Sequence, residues 1–373
     1  MKLKLKETPE QVELIKALGS KNPLEQAQAA EAFAAFIAPV AQKVLSQAGT
    51  AGMIYHDSLY DEDDSPSIPL DLFYDAGVDY VSVWSQAVAG GLPTSQVSGL
   101  SEMKIATYRL DSAVSFLKRY ARRGRLDVVS KAVERMAQEV LVKQERNAWA
   151  VILKALAEAS TNGLTHVVGA DANSSFKPGD LSTLMTRAKR INTSFANGTP
   201  SDWDSKGVTD LFVSPEIMGY VRGFAYNPVN TTGSLSAGPV ALPYTIREEI
   251  FRASGMQEIF GIVLHELLEL GIGKKYNTLF DEMVSGSSVT IPGAGSSGNW
   301  SAATDEILVG VDMGREAFIR PIARQDGGGS TFTAIPDDQF VARQEKTGFY
   351  GYLEEGRVCI DSRAVVGVTV DNN

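Results

Sequence analysis

Residues 127–160 constrain this chain more than any other stretch, because their pattern fits one long helix. Val129, Val133, Met136 and Val140, then Trp149, Ile152, Leu153 and Leu156, recur at the three-to-four spacing that aligns side chains along one face. Arg135 with Glu139, Glu139 with Lys143, and Lys154 with Glu158 place opposite charges four apart on the remaining surface. Gly124 precedes the stretch, Asp127 is the expected N-terminal cap, and Asn162-Gly163 is expected to close it. At about 1.5 Å per residue the helix would run about 50 Å. Such a length fits a strut in a large flat body better than a member of a compact bundle. The polar run Lys143, Gln144, Glu145, Arg146, Asn147 also fits a break between two ordinary helices.

The chain has 373 residues, room for two or three domains, and its 44% hydrophobic content is ample for real cores. A net charge of −10 argues against a binder that works by neutralising phosphates, since such domains carry a strongly basic face. Contact with nucleic acid is expected to be weak and non-specific. The single cysteine, Cys359, excludes an intramolecular disulfide framework, and no cysteine-histidine cluster exists to hold zinc, so intracellular synthesis is expected. The opening residues 1–14 alternate lysine with apolar residues but lack the apolar core of a signal peptide. No later window approaches a membrane span, so a soluble protein is expected.

Taken in order, residues 2–6 read as an exposed strand or arm and residues 9–18 as a short helix. Asn22-Pro23 opens a second helix with an alanine-rich stripe through Phe33, Phe36, Ile37 and Val40, which Pro39 is expected to kink. Residues 51–101 are acidic at Asp61, Glu62, Asp63 and Asp64, then rich in Pro, Gly and Ser, which fits a projecting hairpin. A strand is expected at 103–115, a helix at 181–195, a buried strand at 210–213 and a helix from Ser214-Pro215 to Phe224. Residues 227–243 read as turns and 245–254 as a helix. Strands at 307–311 and 317–322 precede a closing stretch, 340–370, whose pattern suggests an antiparallel hairpin or meander.

Motifs for catalysis are weak. His265, Glu266, Leu267, Leu268, Glu269 comes close to the zinc-protease helix, but its fifth position is Glu rather than His, and His166 and His56 lie in loop-like settings. Gly293, Gly295 and Gly298 have dinucleotide-loop spacing without the helix that should receive the pyrophosphate, so a flexible surface loop is expected. The Asp61 to Asp64 cluster reads as a solvated loop with a weak cation site as the alternative, and Cys359 as a small core residue. No catalytic, cofactor or metal site is expected.

The order of parts resembles the major capsid protein of tailed bacteriophages, the Hong Kong 97 type of capsid fold, over nearly the whole chain. The stretch T209-D-L-F-V-S-P-E-I-M-G-Y-V-R-G-F224 is similar to the strand and helix that enter the family's axial domain. Gly348, Phe349, Tyr350, Gly351 through Glu355, Gly356, then Asp361, Ser362, Arg363, Ala364, resemble its closing strands. The resemblance implies an α+β fold: an N-terminal arm (1–52), an extended loop and its base (53–110), a peripheral domain with a spine helix (111–169), an axial domain (170–339), and returning strands of the peripheral domain (340–373). It further implies a structural, non-enzymatic subunit, made in the host cytoplasm, that self-assembles into hexamers and pentamers of an icosahedral virion shell around double-stranded DNA. The partners it implies are scaffolding, portal and decoration proteins. Some relatives carry a long scaffolding segment before the arm; here the arm begins almost at once, which implies a separate or already removed scaffold. The alternatives are an encapsulin-like nanocompartment shell and, more remotely, a metal-dependent hydrolase using His265, Glu266 and Glu269.

Overall fold

A computed structural model of the chain describes residues 9–47, 49–61, 64–69, 102–124, 126–161, 163–171, 176–192, 207–223, 257–295, 298–324, 332–337 and 345–372. The expected turns at 227–243, the helix at 245–254 and most of the projecting hairpin lie outside those residues. In chain order the elements begin with α1 (Pro9–Leu18), α2 (Pro23–Gln47), β1 (His56–Asp61), β2 (Ser67–Pro69), β3 (Glu102–Lys104), β4 (Thr107–Leu117), α3 (Lys118–Arg122) and α4 (Leu126–Glu158). There follow β5 (Ser160–Thr161), β6 (Leu164–Thr165), β7 (Val167–Gly169), α5 (Pro178–Asn192), β8 (Asp210–Val213), α6 (Pro215–Gly223), β9 (Gln257–Ile259), β10 (Ile262–Glu266) and α7 (Lys275–Ser285). The last strands are β11 (Asp305–Val311), β12 (Phe318–Arg324), β13 (Thr333–Asp337), β14 (Lys346–Gly356), β15 (Val358–Cys359) and β16 (Val365–Asp371). The class is α+β, as expected, and the chain divides into two compact units.

The long helix is continuous: α4 runs for 33 residues through the polar stretch at Lys143. That stretch is not a break, because its polar groups have partners inside the first unit. Gln144 is buried and donates to Glu355 Oε2 at 3.0 Å. Glu145 accepts the Ala51 backbone amide at 3.2 Å and the Thr50 hydroxyl at 3.3 Å. The expected ends shift. The helix starts at Leu126, so Asp127 lies inside its first turn, and Gly163, at φ 74°, lies in the turn joining β5 to β6 rather than closing α4.

In the first unit (Met1–Ile68, Met103–Ala148, Ile319–Val358) the eleven-residue β14 organises a sheet. It pairs with β4 along its whole length, from Gly356 opposite Thr107 to Lys346 opposite Leu117. Its other side meets β12 at Glu355 and β13 at residues 348–352, and β1 joins parallel to β12 at the edge. One face of this sheet buries Leu110, Phe116, Phe349 and Leu353 against Ile15, Leu18, Phe33, Val133, Met136 and Val140 of the helices. Phe33 and Phe349 ring centroids are 5.0 Å apart. Burial of the Val129 to Val140 stripe, at roughly 1.5–3 kcal/mol per large side chain, far exceeds the helix's intrinsic propensity.

In the second unit a six-stranded mixed sheet has the order β7-β16-β11-β8-β10-β9. Leu181, Leu184, Ala188 and Ile191 of α5 and Ile217, Met218 and Val221 of α6 join Leu211, Val213, Leu264, Leu308, Val366 and Val368 in one core. Trp149, at the start of this unit's share of α4, stands edge-on to Phe212 with centroids 5.1 Å apart and stacks on Tyr276 at 5.4 Å. All seven residues of β11 are buried, and six of the seven in β16, as befits strands covered on both faces. The closing stretch is therefore not a hairpin. β14 and β16 belong to different sheets, because β14 carries apolar residues on one face only while the Val-rich β16 needs cover on both.

Gly351 sits where a Cβ would lie 2.4 Å from Phe332 Cζ. Gly351→Ala is expected to cost about 1–3 kcal/mol by overpacking, read as a lower denaturant midpoint at unchanged slope.

Candidate functional site

Three polar features are buried among otherwise apolar surroundings, and each follows from local sequence. The first is Glu355, fully buried near the end of β14. It accepts from Tyr108 Oη at 2.8 Å, Gln144 Nε2 at 3.0 Å and Arg357 Nη2 at 3.2 Å, with Arg320 Nη1 at 4.0 Å. The Arg357 side chain, 3% exposed, also stands over the Tyr55 ring at 4.8 Å, and Tyr55 donates to the Ala148 carbonyl at 2.9 Å. Burial, reinforced by the Glu355 charge, pushes the Tyr108 hydroxyl up to about 12, so it remains a donor at any physiological pH. The cluster locks β4, β14 and α4 together and presents no free base.

The second is Glu306 in β11, buried to 1% exposure. Its Oε1 accepts from Ser214 Oγ at 2.9 Å, and Ser214 in turn caps α6 by accepting from the Ile217 amide at 3.2 Å. Its Oε2 has no hydrogen-bond partner. Burial, with the nearby Glu216 charge adding, pushes the carboxyl up to about 7. The third is His166, whose Nδ1 lies 3.0 Å from the carbonyls of Ser362 and Val365 and whose Nε2 lies 2.8 Å from Thr161 Oγ1. Two carbonyl acceptors fix the proton on Nδ1, leaving Nε2 to accept from the hydroxyl, and burial lowers the imidazole's pKa. This neutral ring is a structural pin.

The hydrolase reading fails on periodicity. His265 and Glu266 lie in strand β10, not a helix, so they point to opposite faces. His265 Nε2 is 2.7 Å from Asp210 and its ring stacks on Phe212, while Glu266 faces Arg222 at 3.3 Å. Among the described residues, no group of three His, Cys, Asp or Glu is arranged to hold a metal ion. In the described part of the glycine motif the Gly293 amide donates to Gly298 O at 2.8 Å and the Gly295 amide to Ala170 O at 2.7 Å, while residues 296 and 297 lie outside the described residues. Those amides are occupied within the fold, so they form no phosphate cradle. Cys359 borders an open cleft of about 570 Å³ with Ala150, Val151, Lys154 and Met283. Burial pushes its thiol up to about 12, which keeps it protonated and poorly nucleophilic. Glu62 and Asp63 of the acidic run lie outside the described residues. No described helix is long and apolar enough to cross a membrane.

No protein-family model matches the chain, and no curated protein matches it at a significant level. Solved structures do. The capsid asymmetric unit of cyanophage Pam1 matches at 14% identity over 86% of this chain and 88% of that one, with a TM-score of 0.48. The capsid of a native GTA particle matches at 12% identity over 87% and 91%, TM-score 0.48. An encapsulin complex from Synechococcus elongatus matches at 11% identity over 86% of both chains, TM-score 0.43. The structures it resembles are capsid and encapsulin shells. They include tailed-phage capsids, the family to which the sequence resemblance points.

Both buried carboxylates yield measurable expectations. A carboxyl raised from 4.5 in the unfolded chain to about 7 in the folded one is neutral in both states at low pH. Stability is therefore lost as pH rises from about 4.5 to about 7, by about 3 kcal/mol in all, and levels off above. Glu306→Gln is expected to be more stable than the parent at pH 8 by up to that amount, with the gap closing below pH 4.5 in urea unfolding. Glu355→Leu, which leaves the Arg357 guanidinium buried without its carboxylate, is expected to lose about 3–5 kcal/mol in the same assay.

Proposed function

We propose that this chain is a structural subunit that self-assembles into hexamers and pentamers of an icosahedral shell, the head of a tailed phage enclosing double-stranded DNA. The observation that carries the reading is α4: one unbroken helix whose Val129 to Val140 stripe serves the first unit's core and whose Trp149 to Ala157 stretch is buried in the second. A helix of this kind is a spine, the role the chain order assigns it. An arm with two helices comes before it, then a segment opening at β2 and closing at β3, where the Ile105 amide donates to Pro66 O at 3.0 Å. In this reading residues 1–52 are the arm, 53–110 the extended loop and its base, 111–169 and 340–373 the peripheral domain, and 170–339 the axial domain. The buried carboxylates and histidine among the described residues act as structural ties, which supports a non-enzymatic role.

A net charge of −10 favours weak, non-specific contact with packaged DNA, which keeps the genome releasable. Scaffolding, portal and decoration proteins are the partners this role requires, and the virion shell is its location after synthesis in the host cytoplasm.

Electron microscopy of the purified full chain, expressed with its scaffold, tests the reading. Closed shells are expected; a uniformly monomeric species would overturn it, and a protein cargo inside natively purified particles would replace it with the nanocompartment reading. Val140→Pro, in the buried stripe of the spine, is expected to abolish shells through misfolding, whereas Lys143→Ala, on its exposed side, is expected to leave them unchanged.

A further inference from the structure

Burial leaves one oxygen of Glu306 unsatisfied. Its Oε1 accepts from Ser214, but Oε2 lies in the interior with no hydrogen bond. The outlook of that oxygen is not apolar. An atom placed at the Cβ position of Gly271 would be 3.6 Å from Glu306 Oε2 and 3.4 Å from Glu216 Oε2. Two carboxylate oxygens, one from β11 and one from the first turn of α6, thus look onto the same spot beside the Gly271 backbone. Ionised carboxylates only accept, so neither oxygen can satisfy the other unless a proton lies between them.

We propose that Glu306 and Glu216 share one proton beside Gly271, and that the pair is a pH-operated latch holding residues 271–274 and the start of α6 against β11. The proton resides on Glu306 Oε2 and is donated to Glu216 Oε2. The buried member keeps it because its charged form loses hydration: burial, with the Glu216 charge adding, raises Glu306 to about 7, while Ser214 and Asn372 oppose the rise. Glu216 is exposed, so its charge keeps water. Other charged groups among the described residues are placed elsewhere. Lys274 brings its Cγ to 3.4 Å from the Gly271 Cβ position, Glu269 is exposed on the loop, and Arg222 of α6 pairs with Glu266 of β10 at 3.3 Å. Asp305 turns to the opposite face of β11, where it accepts from the Ser301 amide at 3.1 Å and stands in register with Asp371.

The loop over the pair is built to open at one place. Its ends are tied, the Leu267 amide to Val213 O at 2.9 Å and the Tyr276 amide to Glu269 O at 3.1 Å, and Leu270 is fully buried. Past those anchors Gly271 and Gly273 stand at φ 120° and 69°, and the bond from the Lys274 amide to Gly271 O, at 3.1 Å, is local. The cover over Glu306 Oε2 is therefore backbone without a side chain. As pH rises through about 7 the proton leaves for solvent, and a bare buried carboxylate then gains most from water. Displacing Gly271 admits that water, so the latch is closed at low pH and opens on the alkaline side. It works within a single subunit, assembled or not.

Hydrogen exchange of the full chain, read by mass spectrometry and corrected for the intrinsic pH dependence of exchange, tests the latch at about pH 5.5 and about pH 8.5, either side of the titration. Peptides covering residues 268–276 are expected to lose about tenfold of their protection at the higher pH, while peptides of β14 at the same short times do not change. Glu306→Gln is expected to keep the protection at both pH values, because its amide donates where the proton did. Glu216→Ala is expected to lose it at both. Loop protection that ignores pH in the parent would overturn the latch, as would an equal loss across β14, which marks a global change. A Glu216→Ala protein that still follows the parent's pH dependence would show that Glu306 titrates alone and would overturn the shared proton. A Glu306→Gln protein that does so would assign the switch to another group.

Discussion

The buried pair of Glu355 and Arg357 sets the terms for the first unit. Removing a carboxylate and a guanidinium from water costs several kcal/mol each, and only complete hydrogen bonding offsets it. The chain meets most of that demand by bringing Tyr108, Gln144, Tyr55 and Arg320 to one place from four separate segments, with Arg357 Nη1 and Gln144 Oε1 left without a hydrogen bond. Each of those groups then has one permitted position. A one-residue slip of β4 against β14 would turn Leu110 and Phe116 out of the core. It would also turn Tyr108 to the opposite face and leave a buried charge short of a donor, which adds to the penalty.

The second unit is specified differently. Its central strands are near-continuous runs of Val, Ile and Leu, covered on both faces. Among its buried polar groups is Glu306, a carboxyl that burial pushes up to about 7, with Ser214 linking it to the start of α6. One unit is held in register by a buried ion pair and its donors, the other by apolar volume around several buried groups, Glu306, His166 and Cys359 among them, whose charged forms burial opposes.

What the sequence made legible followed from short-range physics. The long helix's apolar stripe, the strand at 210–213 and the Ser214 cap are all set by residues within a few positions of one another, and all appear in the structure within a residue or two of their expected bounds. What it concealed depended on distant partners. Gln144 and Glu145 belong to a polar run that also fitted a helix break, because their partners, Glu355 and the backbone at Ala51, are remote in sequence. Asn162-Gly163 read as a helix stop, although the same pair is a strong hairpin signal, because the two-residue strands beside it are too short to show a period. The His265 pattern read as helical because five residues cannot distinguish the two periods, and the parallel ladder to β8 decides it.

The position of β16 between β7 and β11 bears on how the protein is made. Gly367 pairs with Val167, so the ladder joins segments about 200 residues apart in the chain. At a synthesis rate of roughly 5–20 residues per second, β7 and β11 leave the ribosome well before the strand that must separate them. Until it arrives, two valine-bearing edges stand open to each other and to other nascent chains. The sheet is thus completed by a strand inserted at its middle, and until then both edges are open to pairing with other chains.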